Sequence, residues 1–303
     1  MHKQICFFFT FFWLFHLTEL KAHPKTELWN EIVEKYVDQE GGVNYIGLSK
    51  EKKLNSFIKS YQNLRADEIK SWTNTQKTAF YINLYNATMM ANLLRFAHEK
   101  KIPVASSQFI HLKINDIEVP GGNIWDGDYK VDIAGLKINL DGIEHGLIRG
   151  ADIPDGFSGF EVSKLDPRIH SAVNCAAISC PRVREIAYTP TNINQMLNEN
   201  MKEFLESDDQ FRMIDNNTMY ANSIVFWYYA DFDKQKPGAG TYLSQFLTVD
   251  KTKPKSTNYL KKKHFEENFN DTSRFVLKLS SSFDFDYNWA INDQRNKNLR
   301  SKP

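Results

Sequence analysis

The longest apolar helical pattern in the chain is Thr75-Gln-Lys-Thr-Ala-Phe-Tyr-Ile-Asn-Leu-Tyr-Asn-Ala-Thr-Met-Met-Ala-Asn-Leu-Leu-Arg-Phe-Ala-His98. Its apolar side chains fall on nearly every face of a helix, and a helix that is apolar all round belongs at the centre of a domain. Asn83 and Asn86 lie on one face of this helix, so we predict that both amides are buried and need hydrogen-bond partners. Two kinds of partner remain open, the backbone of a neighbouring loop and a ligand.

Further helices are predicted on both sides of this central helix, because apolar residues recur there at helical spacing. They cover residues 28–37, 54–61, 64–72, the segment after Asp141, 189–205 and 242–247. Short segments bounded by turn residues predict strands at 109–114, 129–134, 136–140, 169–176 and 275–279, and at 219–229, where a strand passes into an aromatic-rich element. The pattern indicates an α+β fold, a single domain in which the central buried helix packs with a small, mostly antiparallel sheet.

The N-terminus has the parts of a secretory signal peptide. Lys3 supplies a basic start, an apolar run follows from Ile5 to Leu17, and Ala22 is a small residue at the expected cleavage position. The run is shorter than the roughly 20 residues that a membrane-spanning helix needs. We therefore expect residues 1–22 to be removed and the protein to be secreted or periplasmic, with an uncleaved anchor or a lipid-tethered form as the alternatives.

The remaining chain is divided by pattern into three parts. Residues 23–74 form an N-terminal helical segment, residues 75–293 form the main domain, and residues 294–303 form a C-terminal tail. No repeat, low-complexity tract or linker separates the first two parts, so we expect them to pack as one unit.

Composition argues against several classes of function. The 38 Lys and Arg residues nearly balance the 37 Asp and Glu residues, so no excess of positive charge favours nucleic acid as a partner. No nucleotide, flavin or pyridoxal fingerprint is present, and no cofactor is expected. We expect contact with a membrane only during export.

Cysteine is the informative residue type. The chain has 3 cysteines, and cleavage after Ala22 would remove Cys6 and leave Cys175 and Cys180 alone. In an oxidising compartment such a pair can form a small disulfide. The same pair can instead supply a reactive thiol, so both alternatives stay open.

Five motifs stand in order along the chain. They are Ala79-Phe-Tyr-Ile-Asn-Leu-Tyr-Asn86, Asp141-Gly-Ile-Glu-His-Gly-Leu-Ile-Arg149, Asp166-Pro-Arg-Ile-His-Ser-Ala-Val-Asn-Cys175, Ser179-Cys-Pro181 and Asp286-Tyr-Asn-Trp-Ala-Ile-Asn292. Together these motifs resemble the DUF547 family, a family whose name records an unknown function. The resemblance covers about residues 75–293, and the members of the family in bacteria are commonly exported. It also implies a fold similar to that of papain-like or transglutaminase-like cysteine hydrolases.

The residues themselves offer the parts of a cysteine hydrolase. Such an enzyme needs a thiolate, an imidazole that takes and returns the proton, and a group that orients the imidazole. Cys180 is the preferred nucleophile, because Pro181 favours the start of a helical turn, and a helix N-terminus lowers the pKa of a thiol. His145 or His170 would be the base.

Four other residues complete the set of candidates. Cys175 and Glu144 are candidate catalytic residues, and Asn83 or Asn174 would orient the imidazole or donate to the oxyanion. If residues 169–176 form a strand, the side chains of His170 and Cys175 point to opposite faces. The side chains of Glu144 and His145 point about 100° apart on a helix, so Glu144 cannot contact the imidazole of His145 directly. Glu144 is therefore expected to bind Arg149 or backbone.

The favoured function is hydrolysis of an amide or isopeptide bond in a peptide-like small molecule, a γ-glutamyl compound or a cell-wall component. A zinc site built from the same cysteines and histidines is disfavoured, because structural zinc sites use closer cysteine pairs, and no metal is expected. A non-catalytic interaction or scaffold domain with a Cys175–Cys180 disulfide is the remaining alternative.

Overall fold

The computed structural model describes residues 24–250, 252–253, 256–270 and 283–300. The predicted signal peptide and the predicted strand at 275–279 lie outside the described residues. The helices are α1 (Thr26–Tyr36), α2 (Tyr45–Leu48), α3 (Lys53–Ser60), α4 (Ala66–Lys70), α5 (Asn74–Glu99), α6 (Ser107–Ile110), α7 (Ile193–Glu206), α8 (Ile224–Trp227), α9 (Tyr229–Asp233), α10 (Ala239–Ser244), α11 (Thr257–Asn268) and α12 (Lys297–Arg300). Short 3-10 helices cover Ile114–Asp116, Pro167–Ser171 and Gln294–Asn296, and a π-helix covers Gly142–Ile148.

Helix α5 lies at the centre of the molecule, as its sequence predicts. The side chain of Thr73 accepts a hydrogen bond from the backbone N–H of Gln76, and the side chain of Gln76 accepts one from the backbone N–H of Thr73, which fixes where the helix begins. Almost all of its side chains from Lys77 to Ala97 are buried. Helices α1, α3 and α7 and the π-helix pack around it, so α5 is the scaffold on which the other elements are positioned.

The strands are short and form three separate small sheets. They are β1 (Glu118–Val119), β2 (Gly122–Asn123), β3 (Val131–Ile133), β4 (Leu136–Ile138), β5 (Phe211–Met213), β6 (Met219–Asn222) and β7 (Phe283–Asp286). The pairs β1–β2, β3–β4 and β5–β6 are antiparallel, whereas β7 joins β6 in parallel. The prediction of an α+β fold with mostly antiparallel pairing is confirmed.

Two predicted strands are wrong. Residues 109–110 end α6 and Ile114 begins a 3-10 helix, because the side chain of Ser106 accepts a hydrogen bond from the backbone of Phe109 and starts a helix there. Residues 167–171 also form a 3-10 helix, since Asp166 caps it and Pro167 occupies its first turn. In both places local capping outweighed an alternation of apolar residues that is typical of strands.

A segment near the C-terminus connects distant parts of the chain. This C-terminal strap, residues 286–293, hydrogen-bonds three other segments through its backbone. The carbonyl of Asn292 accepts from the backbone of Val43 at 2.8 Å, the carbonyl of Trp289 accepts from that of Ile114 at 2.9 Å, and the carbonyl of Ala290 accepts from that of Ile178 at 2.8 Å. The strap therefore holds the N-terminal helices, the middle of the chain and the cysteine loop together. Among the residues that the structure describes, no helix combines the length and apolar character needed to cross a bilayer.

Candidate active site

One aromatic pocket of about 200 Å³ contains all five candidate catalytic residues, Cys175, Cys180, His145, His170 and Glu144. We call it the aromatic pocket; its other lining residues are Tyr85, Trp125, Asp141, Val173, Ile224, Trp227, Tyr228, Tyr287 and Trp289. The two candidate amides do not line it. Residues from six separate parts of the sequence thus meet at one concave surface, the usual setting of a ligand site.

The cysteines lie in the loop between the 3-10 helix and α7 and form a Cys175–Cys180 disulfide. The amide of Asn174 fixes this loop, because its Nδ2 donates to the carbonyl of Pro181 at 2.7 Å and its Oδ1 accepts from the backbone of Ala176 at 2.7 Å. Asn174 therefore holds the cysteine loop in place and does not line the aromatic pocket. The backbone after Cys180 is irregular, so the predicted helix N-terminus at this sulfur is wrong.

The two sulfurs have different surroundings. Cys180 Sγ accepts from the backbone N–H of Cys175 at 2.9 Å and lies 2.9 Å from the hydroxyl of Tyr287. Cys175 Sγ contacts the same hydroxyl at 3.1 Å and is more exposed than Cys180, which is 6% exposed. Among the described residues, Cys180 Sγ thus has a backbone N–H and a phenol hydroxyl within contact, whereas Cys175 Sγ has the hydroxyl alone.

His170 has the geometry of a general base. Its Nε2 lies 3.0 Å from Oδ2 of Asp231, and its ring stacks on Tyr228 with 3.8 Å between the centroids. A carboxylate only accepts hydrogen bonds, so Nε2 carries the hydrogen and Nδ1 holds the lone pair. Nδ1 is buried and has no hydrogen-bond partner among the described residues. Burial lowers the pKa of His170, and the bond to Asp231 offsets this only in part, so the ring is neutral and can accept a proton.

Asp231 is the residue that orients this imidazole. Burial opposes its ionisation, but hydrogen bonds from His170 and Arg149 outweigh burial and hold the pKa of the carboxyl well below its usual range. The guanidinium of Arg149 donates to Oδ2 of Asp231 at 2.7 Å. The result is a buried, charged pair that fixes the tautomer of His170.

His145 lies at the mouth of the aromatic pocket on the π-helix, an irregular form that often marks functional sites. Arg149 approaches its Nδ1 at 2.6 Å, and a guanidinium can only donate, so Nδ1 is the acceptor and Nε2 carries the hydrogen. The Nε2 side lies 3.9 Å from Oδ1 of Asp141. In this tautomer His145 presents a hydrogen-bond donor, whereas His170 presents an acceptor.

Glu144 is a buried carboxylate on the same π-helix. The hydroxyl of Tyr228 donates to its Oε1, so the expected partnership with Arg149 is wrong, and Arg149 binds Asp231 instead. Burial raises the pKa of Tyr85 and of Tyr287, and the negative charge of Glu144 raises each pKa further. The carboxylate is therefore surrounded by phenol rings.

Both predicted buried amides of α5 bind loop backbone. Asn83 Nδ2 donates to the carbonyl of Tyr188 at 2.7 Å, and its Oδ1 accepts from the backbone N–H of Tyr188 at 3.0 Å. Asn86 bridges the carbonyl of Ala172 and the backbone N–H of Asn174 in the same way. Asn83 lies outside the aromatic pocket, and Asn86 binds the backbone directly before the cysteine loop.

We expect Asn83→Leu to lower the free energy of unfolding by about 1–3 kcal/mol, because it leaves the buried N–H and C=O of Tyr188 without partners. Urea unfolding followed by circular dichroism measures the change. Asn55→Leu is the matched control, since Asn55 is exposed on α3 and should change stability by less than about 0.5 kcal/mol. An equal, small effect of both substitutions would contradict the expectation.

Sequence reasoning missed three residues of this site. Asp231 follows an aromatic run and carries no motif of its own, and Tyr228 belongs to that run. Tyr287 lies inside the Asp286–Asn292 motif, which was recognised without a role for the phenol. Within the described residues, no group of three or more His, Cys, Asp or Glu side chains is placed to hold a metal ion.

Comparison with known proteins gives one match. Residues 69–205 match the model of DUF547, described as a protein of unknown function. No curated protein and no solved structure matches the chain. The matched range contains both histidines, both cysteines and Glu144, whereas Asp231 and Tyr287 lie beyond it.

Proposed function

We propose that this chain, whose residues 69–205 match the DUF547 model, is a thiol-dependent hydrolase of an amide or isopeptide bond. One observation carries the proposal. His170 is bound through Nε2 to Asp231, keeps Nδ1 unpaired, and lines the same pocket as Cys180. A thiol, a neutral imidazole and an orienting carboxylate are the three parts that cysteine hydrolysis requires.

The reaction starts from the reduced protein. An external dithiol gives two electrons and two protons to the Cys175–Cys180 disulfide and becomes a disulfide itself. Nδ1 of His170 then takes the proton of Cys180, and the thiolate attacks the carbonyl carbon of the amide. The C–N bond breaks, His170 returns the proton to the leaving amine, and a thioester remains on Cys180. Water, deprotonated by His170, attacks the thioester and releases the carboxylic acid and the thiol.

The roles of the two cysteines follow from their contacts. Cys180 is the nucleophile because a backbone N–H and the Tyr287 hydroxyl both point to its sulfur. Cys175, the more exposed sulfur, closes the disulfide that blocks the nucleophile. His145 presents Nε2–H at the mouth of the pocket, where it can donate to the carbonyl oxygen of a substrate as charge develops there.

The substrate we propose is a peptide-like small molecule, a γ-glutamyl compound or a cell-wall component. The cavity of about 200 Å³ supports a small group at the reacting centre, since whole drug-sized ligands fill roughly 300–1,000 Å³. The N-terminal pattern of residues 1–22 supports export, and we propose a secreted or periplasmic location on that basis. N-terminal sequencing of exported protein should find a start near His23, and an intact Met1 on membrane-bound protein would refute it.

Thiol reactivity tests the proposal directly. In reduced Cys175→Ser protein, iodoacetamide should alkylate Cys180 with an apparent pKa well below the ordinary value of about 8.5. His170→Gln should raise this pKa towards the ordinary value, because the proton acceptor is lost. Peptide mapping by mass spectrometry assigns the modified cysteine, and the pH dependence of the rate gives the pKa.

Cys180→Ser provides the matched control, because it leaves Cys175 as the reactive thiol of the loop. We expect its pKa to lie closer to about 8.5. If both single-cysteine proteins show ordinary pKa values that His170→Gln does not change, the hydrolase proposal fails. The disulfide itself favours the second candidate, a non-catalytic interaction domain that the Cys175–Cys180 bond stabilises, and that result would select it.

A further inference from the structure

The walls of the aromatic pocket include three tryptophans, two of which contact the third. The rings of Trp125 and Trp289 meet edge to face at 5.9 Å, and those of Trp227 and Trp289 stack at 5.6 Å. Tyr287 lies 4.4 Å from Trp289, between the tryptophans and the sulfurs. Trp227 is 47% exposed, although most tryptophan side chains in folded proteins are largely buried. The pocket thus keeps a large aromatic surface open to solvent.

The charges around this aromatic surface are mainly negative. Glu144 is 5% exposed and fixed by Tyr228, and Asp141 lies at the mouth of the same pocket. The one nearby guanidinium, that of Arg149, is already bound to Asp231 and to His145. The Nδ1 atom of His145 is the acceptor of the bond from Arg149. Two carboxylates therefore face aromatic rings with no mobile cation of the protein between them in the part of the chain that the structure describes.

One residue of the aromatic pocket has a buried polar atom without a hydrogen-bond partner in the described part of the chain. His170, 1% exposed, lines it with an Nδ1 atom that has no partner among the described residues, and a buried polar atom without a partner is costly. Aromatic walls combined with a carboxylate are the usual means by which proteins bind alkylammonium groups, since the ring faces attract a cation.

We propose that the aromatic pocket binds a small alkylammonium group. Trp227 and Trp289 supply the ring faces, and Glu144 supplies the opposite charge. Taken with the hydrolase proposal, on which this reading of the substrate rests, the scissile amide belongs to a molecule with a positively charged amine close to the bond, such as a basic amino-acid residue. The recognition of the ammonium group itself requires no catalysis and can be measured separately.

The experiment compares choline with its neutral isostere 3,3-dimethyl-1-butanol, using the tryptophan fluorescence of the full chain. Choline should change the fluorescence in a saturable way, and the isostere should bind at least tenfold more weakly, because it has the same shape without the charge. Equal affinities for the two compounds would overturn the proposal, since they would show that the pocket recognises only apolar shape.

Two variants and two matched controls locate the binding. Glu144→Gln should weaken choline binding about tenfold, which corresponds to about 1.4 kcal/mol. Glu99→Gln is the matched control and should leave choline binding unchanged, because Glu99 also accepts from a tyrosine hydroxyl, that of Tyr129, but does not line the pocket. Trp227→Leu should weaken it several-fold, whereas Phe226→Leu, at a neighbouring exposed ring, should not. Trp227 is exposed, so its replacement keeps the test valid even if Glu144→Gln does not fold. Choline affinity unchanged in Trp227→Leu would contradict the site.

The outcomes for this site and for the hydrolase are distinguishable. Choline binding should persist in Cys180→Ser, because the sulfur has no part in recognition of the cation. If choline binds and Cys180 shows no unusual reactivity, the ammonium site stands and the hydrolase proposal fails. If Cys180 is reactive and choline binds no better than its isostere, the hydrolase proposal stands and the ammonium site is wrong.

Discussion

Asp231→Asn should slow hydrolysis of p-nitrophenyl acetate by the reduced protein roughly 10²–10⁴-fold, under conditions where circular dichroism shows the variant to be folded. The carboxylate of Asp231 accepts from Nε2 of His170 and so keeps the lone pair on Nδ1. Oδ2 also accepts from Arg149, so an asparagine keeps its oxygen towards both donors, but it carries no charge to stabilise the imidazolium that forms when His170 takes the proton of Cys180. Release of p-nitrophenolate measures the steady-state rate.

A neighbouring acid provides the control for this substitution. Asp233 lies on the same helix α9 and accepts a hydrogen bond from Tyr229 at 3.1 Å, without contact to either histidine. Asp233→Asn should therefore leave the rate within about twofold. Equal rates for the wild type and Asp231→Asn would mean that His170 is not the base, and the proposed mechanism would have to be abandoned.

The second large effect is on stability. Asp231→Ala should lower the free energy of unfolding by about 3–5 kcal/mol, the usual cost of removing one partner of a buried ion pair. The side chains of Arg149 and Asp231 are 19% and 3% exposed, so the substitution leaves the guanidinium of Arg149 with a poorly solvated, unpaired charge. Urea unfolding measures the change.

Removal of both charges is the informative control. The double variant Arg149→Leu with Asp231→Leu should recover much of the loss, because a buried pair replaced by apolar groups is often near neutral in stability. A double variant less stable than Asp231→Ala would show that the pair contributes through its attraction rather than through the penalty of an unpaired charge. Such a result would contradict the argument.

The same pair predicts a dependence of stability on pH. The pKa of Asp231 is lower in the folded protein than the ordinary value of about 3.9. The carboxylate therefore makes its full contribution to the free energy of unfolding above about pH 3.9, and this contribution is lost as the pH falls below that value towards the pKa of the folded protein. Asp231→Ala should lack this part of the acid dependence, which urea titrations between about pH 2 and 5 would reveal.

The sequence predicts best those features that depend on a local pattern. Helix α5 and its buried amides follow from apolar residues on every face, because a buried amide on such a helix has to find a partner. The predicted strands at 109–114 and 169–176 failed where Ser106 and Asp166 cap short helices. Both capping residues precede an alternation of apolar residues that is typical of strands, and the two local signals therefore predict different structures.

The pairing within the site could not be predicted in the same way. His170 and Asp231 are 61 positions apart, and nothing in the segment around either residue identifies the other. Their contact depends on how α9 packs against the 3-10 helix. The expectation that His170 and Cys175 face apart came from a strand that does not exist, and once the segment folds as a 3-10 helix both residues line one pocket.

The C-terminal strap has a consequence for biosynthesis. A ribosome makes Cys175 and Cys180 more than 100 residues before Tyr287 and Trp289, which form the wall against the sulfurs. The disulfide closes a short loop and requires only local residues, so it can form early, while the wall can form only after synthesis has passed residue 293. Until the strap is made, the two cysteines therefore lie in an incomplete site, and the contacts that complete the site are among those that loop-closure entropy makes slowest to form. An early disulfide would protect those thiols from other cysteines for as long as the site stays open.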